Sequence, residues 1–177
     1  MKVTNPEMIR SVTRKWDGDR DANGRPLVSE DILERMKFVT TEEAWGTCKR
    51  NEYHFQFSGN WMNLHPDRVI VGRAVTCRWV PRRPDIHDSI DKQGEEDERV
   101  GFQNSWIIDE LEQNDLIVVD LFGKVFNGTF AGDNLATAIK SRSGTGMVID
   151  GGIRDTQRII EMDDFNAFVR GVDPSAI

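Results

Sequence analysis

Hydrophobic residues follow a helical period in the first third of the chain. Apolar side chains recur three or four positions apart, the spacing that places them on one face of a helix. Each of the three groups follows a residue type that often caps a helix start: Asn5 with Pro6, Ser29, and Thr40 with Glu43 as a capping box. The three apolar groups are Met8, Ile9, Val12 and Trp16, then Ile32, Leu33 and Met36, and lastly Ala44, Trp45 and Cys48. The pattern predicts three short helices, with a polar turn at residues 17–26 after the first.

The last third of the chain has a different pattern, in which short apolar runs alternate with helical ones. The runs predict strands at residues 116–121 and 147–150, and a short one near 167–169. Helical spacing follows the first two strands, at 133–142 and 155–162. Strands that alternate with helices favour parallel βαβ units. The predicted fold class is therefore α/β.

The middle of the chain is harder to assign. Residues 69–80 are rich in β-forming side chains and predict a long strand that ends at Pro81. Residues 82–100 are polar and charged, and we interpret them as an insert that forms a solvated loop. A helix is then expected around Phe102, Trp106, Ile107 and Leu111.

Length, charge and cysteine content exclude several classes of protein. The 177 residues fit one domain, residues 1–177, and the net charge of −7 argues against nucleic acid as the main partner. Apolar runs are far shorter than a membrane span, and the N-terminus lacks a signal-peptide pattern. The two cysteines, Cys48 and Cys77, favour a reducing compartment. We therefore expect a cytoplasmic protein with no membrane partner.

Two strand ends each present a carboxylate at the start of a helix. After the strand at 116–121, the helix opens at Gly132-Asp133-Asn134-Leu135. After the strand at 147–150, Gly151-Gly152 is expected to turn the chain toward Arg154-Asp155. Free amides and the helix dipole attract anions at such positions, and carboxylates are hard ligands for a metal. The alternative is that both aspartates only cap their helices.

These motifs resemble the RraA-like family, which includes class II 4-hydroxy-4-methyl-2-oxoglutarate aldolases. The family's G-[DE]-x-L loop matches residues 132–135, and its G-x-x-R-D motif matches residues 151–155. The resemblance is clear over residues 69–80 and 105–172. It is weak in the helical N-terminal segment, about 1–65, and in the insert at 82–100. Family members continue with further strands, so we expect C-terminal strands of the family to be missing here.

The resemblance implies a layered α/β sandwich with a swivelling-domain-like core, assembled as homotrimers or homohexamers. It implies Asp155 as a ligand of Mg²⁺ or Mn²⁺, with Asp133 as the second carboxylate near the metal and part of the catalytic set. Arg154 would bind substrate and stabilise an enolate, and the amides of Gly132, Asn134 and Leu135 would hold a substrate carboxylate. The implied activity is a metal-dependent aldolase or decarboxylase acting on a small anionic 2-oxo acid to give a pyruvate enolate. Oxaloacetate decarboxylation would be a possible second activity.

Several alternatives remain open at this stage. RraA itself regulates a ribonuclease, so the resemblance also admits a non-catalytic protein-binding regulator. The unusual insert admits a sugar-acid enzyme with an altered pocket. A rival metal cluster would use Asp85, His87, Asp88 and Asp91, although a solvated loop is the favoured interpretation. Lys124 would serve a Schiff-base mechanism only if it were buried. The sequence identifies neither the general base nor the substrate.

Overall fold

One mixed sheet organises the protein. The computed structural model describes residues 5–175, so the ends of the predicted domain, residues 1–4 and 176–177, lie outside the description. The strands are β1 (Met62–Asn63), β2 (Arg73–Arg78), β3 (Asp115–Thr129), β4 (Met147–Ile153) and β5 (Ala167–Val172). Their order is β1-β5-β4-β3-β2, and β1 is antiparallel to β5 while the other pairs are parallel. The predicted α/β class with parallel βαβ units in the C-terminal half is confirmed.

Three helices cover one face of the sheet and form the core with it. They are α5 (Gln103–Asp109), α6 (Asp133–Ser143) and α7 (Thr156–Ile160). Alternate strand residues are buried beneath them, because successive side chains of a strand point to opposite faces. The buried strand residues are Ile117, Val119, Leu121, Met147, Ile149, Ala167 and Val169. This packing places the carboxyl ends of β3 and β4 side by side, at one edge of the sheet.

The N-terminal segment is helical, as predicted, but contributes no buried helical residue. Its helices are α1 (Pro6–Val12), α2 (Glu30–Met36) and α3 (Thr41–Arg50), and each has the predicted cap. The Arg25 guanidinium donates two hydrogen bonds of 2.9 Å to the carboxylate of Asp115, which is fully buried. Arg73 lies 3.0 Å from the same carboxylate. This ion-paired cluster ties the segment to the first residue of β3.

The interpretation of residues 82–100 as a loop is wrong, because they contain a thirteen-residue helix, α4 (Pro84–Glu96). Pro84 stands in the first turn, where its missing amide hydrogen is tolerated. A Cβ at Gly94 would overlap with the Trp106 ring, so this glycine lets α4 approach α5 closely. Tertiary contact between α4 and α5 therefore orders a segment whose polar composition alone favours a loop.

The boundaries of several strands also differ from the prediction. The strand expected at 69–80 is regular only over Arg73–Arg78, and β3 runs eight residues past the predicted end. Gly151 and Gly152 do not form a turn; they lie inside β4 and pair with Lys124 and Thr129. Register shifts in β3 bring its backbone over these two glycines, where a side chain would collide.

Within residues 5–175, no helix combines the length and apolar character needed to cross a bilayer.

Candidate functional site

The two motifs singled out in the sequence meet at the carboxyl edge of the sheet. The chain leaves β3, passes through Phe130 and Ala131, and enters α6. The Phe130 amide donates to the Gly152 carbonyl at 3.0 Å, and the Arg154 amide donates to the Ala131 carbonyl at 3.0 Å. These two backbone hydrogen bonds join the loop before α6 to the end of β4, and so bring Gly132, Arg154 and Asp155 together.

Asp155 has a left-handed backbone conformation. Its φ is +57°, in a region that aspartate tolerates better than most non-glycine residues, and eight other non-glycine residues of the range 5–175 also have a positive φ. It occupies the position before α7, but its side chain accepts no capping hydrogen bond from that helix. The structural alternative considered for this residue, a side-chain cap, is therefore not what Asp155 provides. Its carboxylate lies instead against Gly132.

Gly132 leaves the space that the Asp155 carboxylate fills. A Cβ on Gly132 would overlap with Oδ2 of Asp155 and would lie 3.0 Å from Nε of Arg154. The backbone of Gly132 is extended, with φ at −115°, so its own conformation does not require glycine. The requirement comes from the close approach of the two charged side chains.

Arg154 lies between the Asp155 carboxylate and the core. Its Nε is 3.5 Å from Oδ2 of Asp155, and its Nη1 donates to Oγ1 of Thr129 at 3.3 Å. Thr129 is fully buried, whereas the Arg154 side chain keeps 29% of its exposure. The guanidinium is thus anchored on one side and open to a ligand on the other.

Asp133 is already paired with a cation. Nη1 of Arg158, on α7, lies 2.8 Å from Oδ2 of Asp133. This hydrogen bond lowers the pKa of Asp133, and the same contact raises the pKa of Arg158. The Asp133 carboxylate is therefore ionised at neutral pH, but it is shared with Arg158. The sequence analysis missed Arg158, although its place three residues after Asp155 puts it on the first turn of α7.

The amides at the start of α6 are unequally available. The Asn134 amide donates to Oδ1 of Asp133 at 2.9 Å. The amides of Gly132 and Leu135 donate no hydrogen bond to residues of the described range 5–175. Both lie at the start of α6, at the positive end of the helix dipole, where a free amide can bind a carboxylate; Gly132 is buried and Leu135 is half-buried.

The carboxylates of Asp133 and Asp155 are the possible ligands of a divalent metal at this site. In the part of the chain that the structure describes, no three His, Cys, Asp or Glu side chains are grouped to hold a metal. Asp133 and Asp155 offer two carboxylates at one edge: Asp133 lies 2.8 Å from Nη1 of Arg158, and Asp155 has a longer contact, 3.5 Å, with Nε of Arg154. Mg²⁺ is commonly held by one or two carboxylates, with waters and substrate completing its shell. The residues present fit that open kind of site and do not fit an all-protein cage.

The two alternative sites identified from the sequence are arranged differently. Residues 85–91 lie on α4, where Nε2 of His87 is 3.0 Å from Oδ2 of Asp91 and Asp85 pairs with Arg83. Asp88 is exposed and belongs to no metal-binding group among the described residues. The Lys124 side chain is exposed, so it lacks the burial on which the Schiff-base alternative depends.

Comparison with known proteins supports the assignment of the fold. The model of the RraA-like family, described as Aldolase/RraA, matches residues 43–176. A search of curated protein sequences found no match. Among solved structures, RraAS2 from Streptomyces coelicolor is described as an unusual member of the RNase ES inhibitor RraA protein family. It has a TM-score of 0.66 at 22% identity, over 84% of this chain and 67% of that one.

Two further structures agree with the same fold. An uncharacterized protein from Pseudomonas syringae has a TM-score of 0.62 at 18% identity, over 85% of this chain and 61% of that one. A structure from Geobacillus kaustophilus, described as S-adenosylmethionine: 2-dimethylmenaquinone methyltransferase, has a TM-score of 0.50 at 19% identity, over 77% and 71%. The chain spans about two thirds of the length of these solved relatives. Similarity at this level concerns the fold alone.

Proposed function

Because this chain belongs to the RraA-like family, we propose that it is a divalent-metal-dependent lyase that cleaves a small 2-oxo acid to a pyruvate enolate. The observation that carries the proposal is the conformation of Asp155. Its left-handed backbone directs the carboxylate onto Gly132 and away from the amides of α7. A carboxylate held this way, beside an arginine, is available to a ligand.

The residues around Asp155 would divide the work of binding the substrate. The amides of Gly132 and Leu135, which have no partner among residues 5–175, would hold the carboxylate of the 2-oxo acid, and the exposed part of the Arg154 guanidinium would bind its 2-oxo oxygen. A guanidinium offers two parallel donors, which suit an oxygen that gains negative charge. Asp133, fixed by Arg158, orients the Asn134 amide at the same helix start.

The reaction breaks the bond between C3 and C4 of the substrate. In aldol cleavage, the C4 hydroxyl gives its proton to a solvent water and becomes a carbonyl as the bond breaks. The electrons of the C3–C4 bond form the C2=C3 double bond of the enolate. The negative charge rests on the C2 oxygen, where Arg154 stabilises it. A proton then adds at C3 and gives pyruvate. Decarboxylation of oxaloacetate releases CO₂ in place of the carbonyl product and passes through the same enolate.

Mg²⁺ or Mn²⁺, when bound at Asp155 with Asp133 nearby, supplies Lewis-acid polarisation of the 2-oxo group. Asp155 contributes a hard oxygen ligand whose side chain is 43% exposed, so water and substrate can complete the coordination shell. Asp133 contributes charge next to the metal while it remains paired with Arg158.

The experiment is a panel of 2-oxo acids assayed for pyruvate release, with and without EDTA. We expect EDTA to abolish activity and Mg²⁺ or Mn²⁺ to restore it. Asp155→Asn should remove most of the activity, because it removes a charged ligand. Asp163→Asn, at an exposed aspartate of the same region, is the matched control and should leave activity unchanged. Full activity after removal of the metal would contradict the mechanism, and loss only on His87→Ala would place the site on α4.

A second candidate function is a protein-binding regulator without catalysis. One observation favours it: the N-terminal segment exposes large apolar side chains, among them Phe38, Phe55 and Phe57, at 84%, 100% and 63%. A thermal-shift assay distinguishes the two. A lyase should be stabilised by Mg²⁺ together with pyruvate, and this shift should disappear in Asp155→Asn. A regulator would show no shift that depends on Asp155.

A sugar-acid enzyme is the remaining alternative. In the panel of 2-oxo acids, it would act only on the longer, hydroxylated acids.

A further inference from the structure

A second concavity lies beside the candidate site, and the proposed lyase chemistry does not use it. It is formed by the end of β2, the helix α4 and the helix α5, and we call it the α4–α5 cleft. Its volume is about 280 Å³. The Trp79 ring forms part of its lining and contacts Phe130, with ring centroids 5.9 Å apart. The Trp79 ring therefore lies between the cleft and Phe130, in the loop before α6.

The walls of the cleft are apolar and include two aromatic rings. Ile86 and Ile90 line it from α4, and Trp106 lines it from α5. Trp79 is half-buried, and its indole Nε1 lies 3.3 Å from Sγ of Cys77, so its ring is held in place. Burial of an apolar or aromatic group against these walls is favourable, at about 25 cal/mol per Å² of apolar surface.

The back of the cleft is rigid. Gly94 of α4 packs directly on the Trp106 ring, where no Cβ can be accommodated. The Trp106 indole donates to the Gly101 carbonyl at 3.3 Å. The Gln103 amide donates to Oδ1 of Asp91 at 2.9 Å and lies 3.4 Å from Nδ1 of His87. These contacts join α4 to α5, so the cleft is formed before any ligand binds.

The charge at the cleft has the opposite sign to that of the whole protein. Three arginines, Arg78, Arg82 and Arg83, line it, and no aspartate or glutamate does. Arg78 and Arg83 pair with Asp120 and Asp85, so the unbalanced positive charge at the cleft is that of Arg82, on a chain whose net charge is −7. An anion would be attracted here although the overall field repels it.

Only one of the three arginines lacks a partner. Nε of Arg78 is 2.7 Å from Asp120, and Nη2 of Arg83 is 2.8 Å from Asp85. The exposed Arg82 side chain makes no hydrogen bond or ion pair with any residue in the range 5–175. Arg82 is therefore the cation that can bind a ligand carboxylate without giving up an existing contact.

We propose that the α4–α5 cleft binds a small organic carboxylate whose apolar or aromatic body packs between Trp79 and the isoleucines of α4, with its carboxylate on Arg82. A volume of about 280 Å³ is just below the usual range for ligand sites, roughly 300–1,000 Å³, which limits the body to about one ring. The same chemistry has two possible sources: a separate effector, or the distal part of the 2-oxo acid bound at Arg154. The cleft proposal itself does not rest on the proposed lyase activity.

The test uses the full-length protein labelled with ¹⁵N, in which each tryptophan gives an indole N–H resonance. Phenylacetate is the probe, and phenylacetamide has the same body without the charge. The Trp79 indole resonance is the one that disappears in Trp79→Phe. We expect phenylacetate to shift this resonance and to leave those of Trp45 and Trp61 unchanged. Phenylacetamide should bind about tenfold more weakly, because hydrogen bonds to charged groups are the stronger ones.

Matched arginine variants localise the carboxylate. Arg82→Gln should weaken phenylacetate binding about tenfold. Arg14→Gln, at an exposed arginine on the N-terminal segment, should leave it unchanged. Equal binding of the acid and the amide, an unaffected Trp79 resonance, or unchanged affinity in Arg82→Gln would each overturn the proposal.

A competition arm separates the two sources. Unlabelled 2-oxo-4-phenylbutyrate displaces phenylacetate with and without Mg²⁺. If the cleft holds the distal part of the substrate, Mg²⁺ should lower the concentration of 2-oxo-4-phenylbutyrate that is needed to displace phenylacetate. If Mg²⁺ has no effect on competition, the cleft takes its carboxylate as a separate ligand. Because binding is measured without turnover, failure of the lyase proposal would leave the Arg82 and Trp79 results unaltered.

Discussion

At the scale of single residues, the candidate site depends on a space that only glycine leaves. The Asp155 carboxylate and the Arg154 side chain both occupy the volume above Gly132. The sequence singles out Gly132 as a motif residue that offers an amide, but it shows neither of these contacts. Even an alanine at position 132 should therefore disturb both the Asp155 and the Arg154 side chains.

We predict that Gly132→Ala removes most of the activity and changes the melting temperature little. The added methyl group would displace the Asp155 carboxylate, which is at the end of a flexible side chain, and would lie tightly against Nε and Cγ of Arg154, at 3.0 and 3.1 Å. The backbone conformation, φ −115°, accepts alanine. The measurements are pyruvate release and thermal unfolding, with Gly46→Ala on the open surface of α3 as the control. An active Gly132→Ala variant would show that the Asp155 position is not used.

Arg154→Lys tests the role of the guanidinium fork. Lysine keeps the positive charge but has no planar pair of donors. We expect kcat to fall about 10²-fold or more, on the scale of losing one preorganised donor, while Mg²⁺ binding is largely kept. Steady-state kinetics and a metal titration measure the two effects. A change in KM alone would make Arg154 a substrate anchor, and no change would make it a surface arginine.

At the scale of elements, one glycine contact positions α4. Gly94 is the buried residue of this helix, and it lies against the Trp106 ring. The rest of α4 is half-buried or exposed. The helix is thus attached to the domain through a small area, and the shape of the α4–α5 cleft depends on that area.

We predict that Gly94→Ala destabilises the protein by about 1–3 kcal/mol, because the methyl group overpacks against Trp106. Gly46→Ala is the matched control, since it also replaces a glycine inside a helix, but on an open surface. It should raise stability, by about 1 kcal/mol at most, through helix propensity. Urea unfolding measures both. Equal effects of the two substitutions would mean that α4 does not pack on α5 as described.

At the scale of the whole molecule, the sheet domain has a continuous core whereas the N-terminal segment has almost none. Helices α1, α2 and α3 bury no residue, and apolar side chains on this segment are widely exposed. The buried Asp115 cluster joins the segment to the sheet through Arg25. Exposed apolar surface on this scale is typical of an interface.

Because the RraA-like resemblance implies homotrimers or homohexamers, and because the N-terminal segment exposes apolar side chains, we predict a closed cyclic oligomer of three or six chains with this segment at the interface. Light scattering should give a mass of three or six chains. Trp45→Asp, at a side chain that is 47% exposed, should reduce that mass, because it places a charge in the interface. Glu42→Gln, an exposed polar change on the same helix, should not. A monomer with full activity would contradict the prediction.

The local sequence determined much of this protein by itself. Asn5, Ser29 and the Thr40–Glu43 box fix three helix starts, because capping depends on neighbouring backbone amides only. The alternating runs determine the βαβ order and the α/β class, and the two motifs already single out Gly132, Arg154 and Asp155. Periodicity and capping act over a few residues, so they can be read without knowledge of the rest of the chain.

The tertiary structure decided what depends on contacts between distant residues. Helix α4 forms in a polar segment because Gly94 meets Trp106, and Gly151 and Gly152 belong to a strand because β3 passes over them. Asp133 is held by Arg158, and Asp155 turns onto Gly132 instead of capping its own helix. Each of these outcomes requires two segments to approach within a few ångströms, and only packing determines which segments do so.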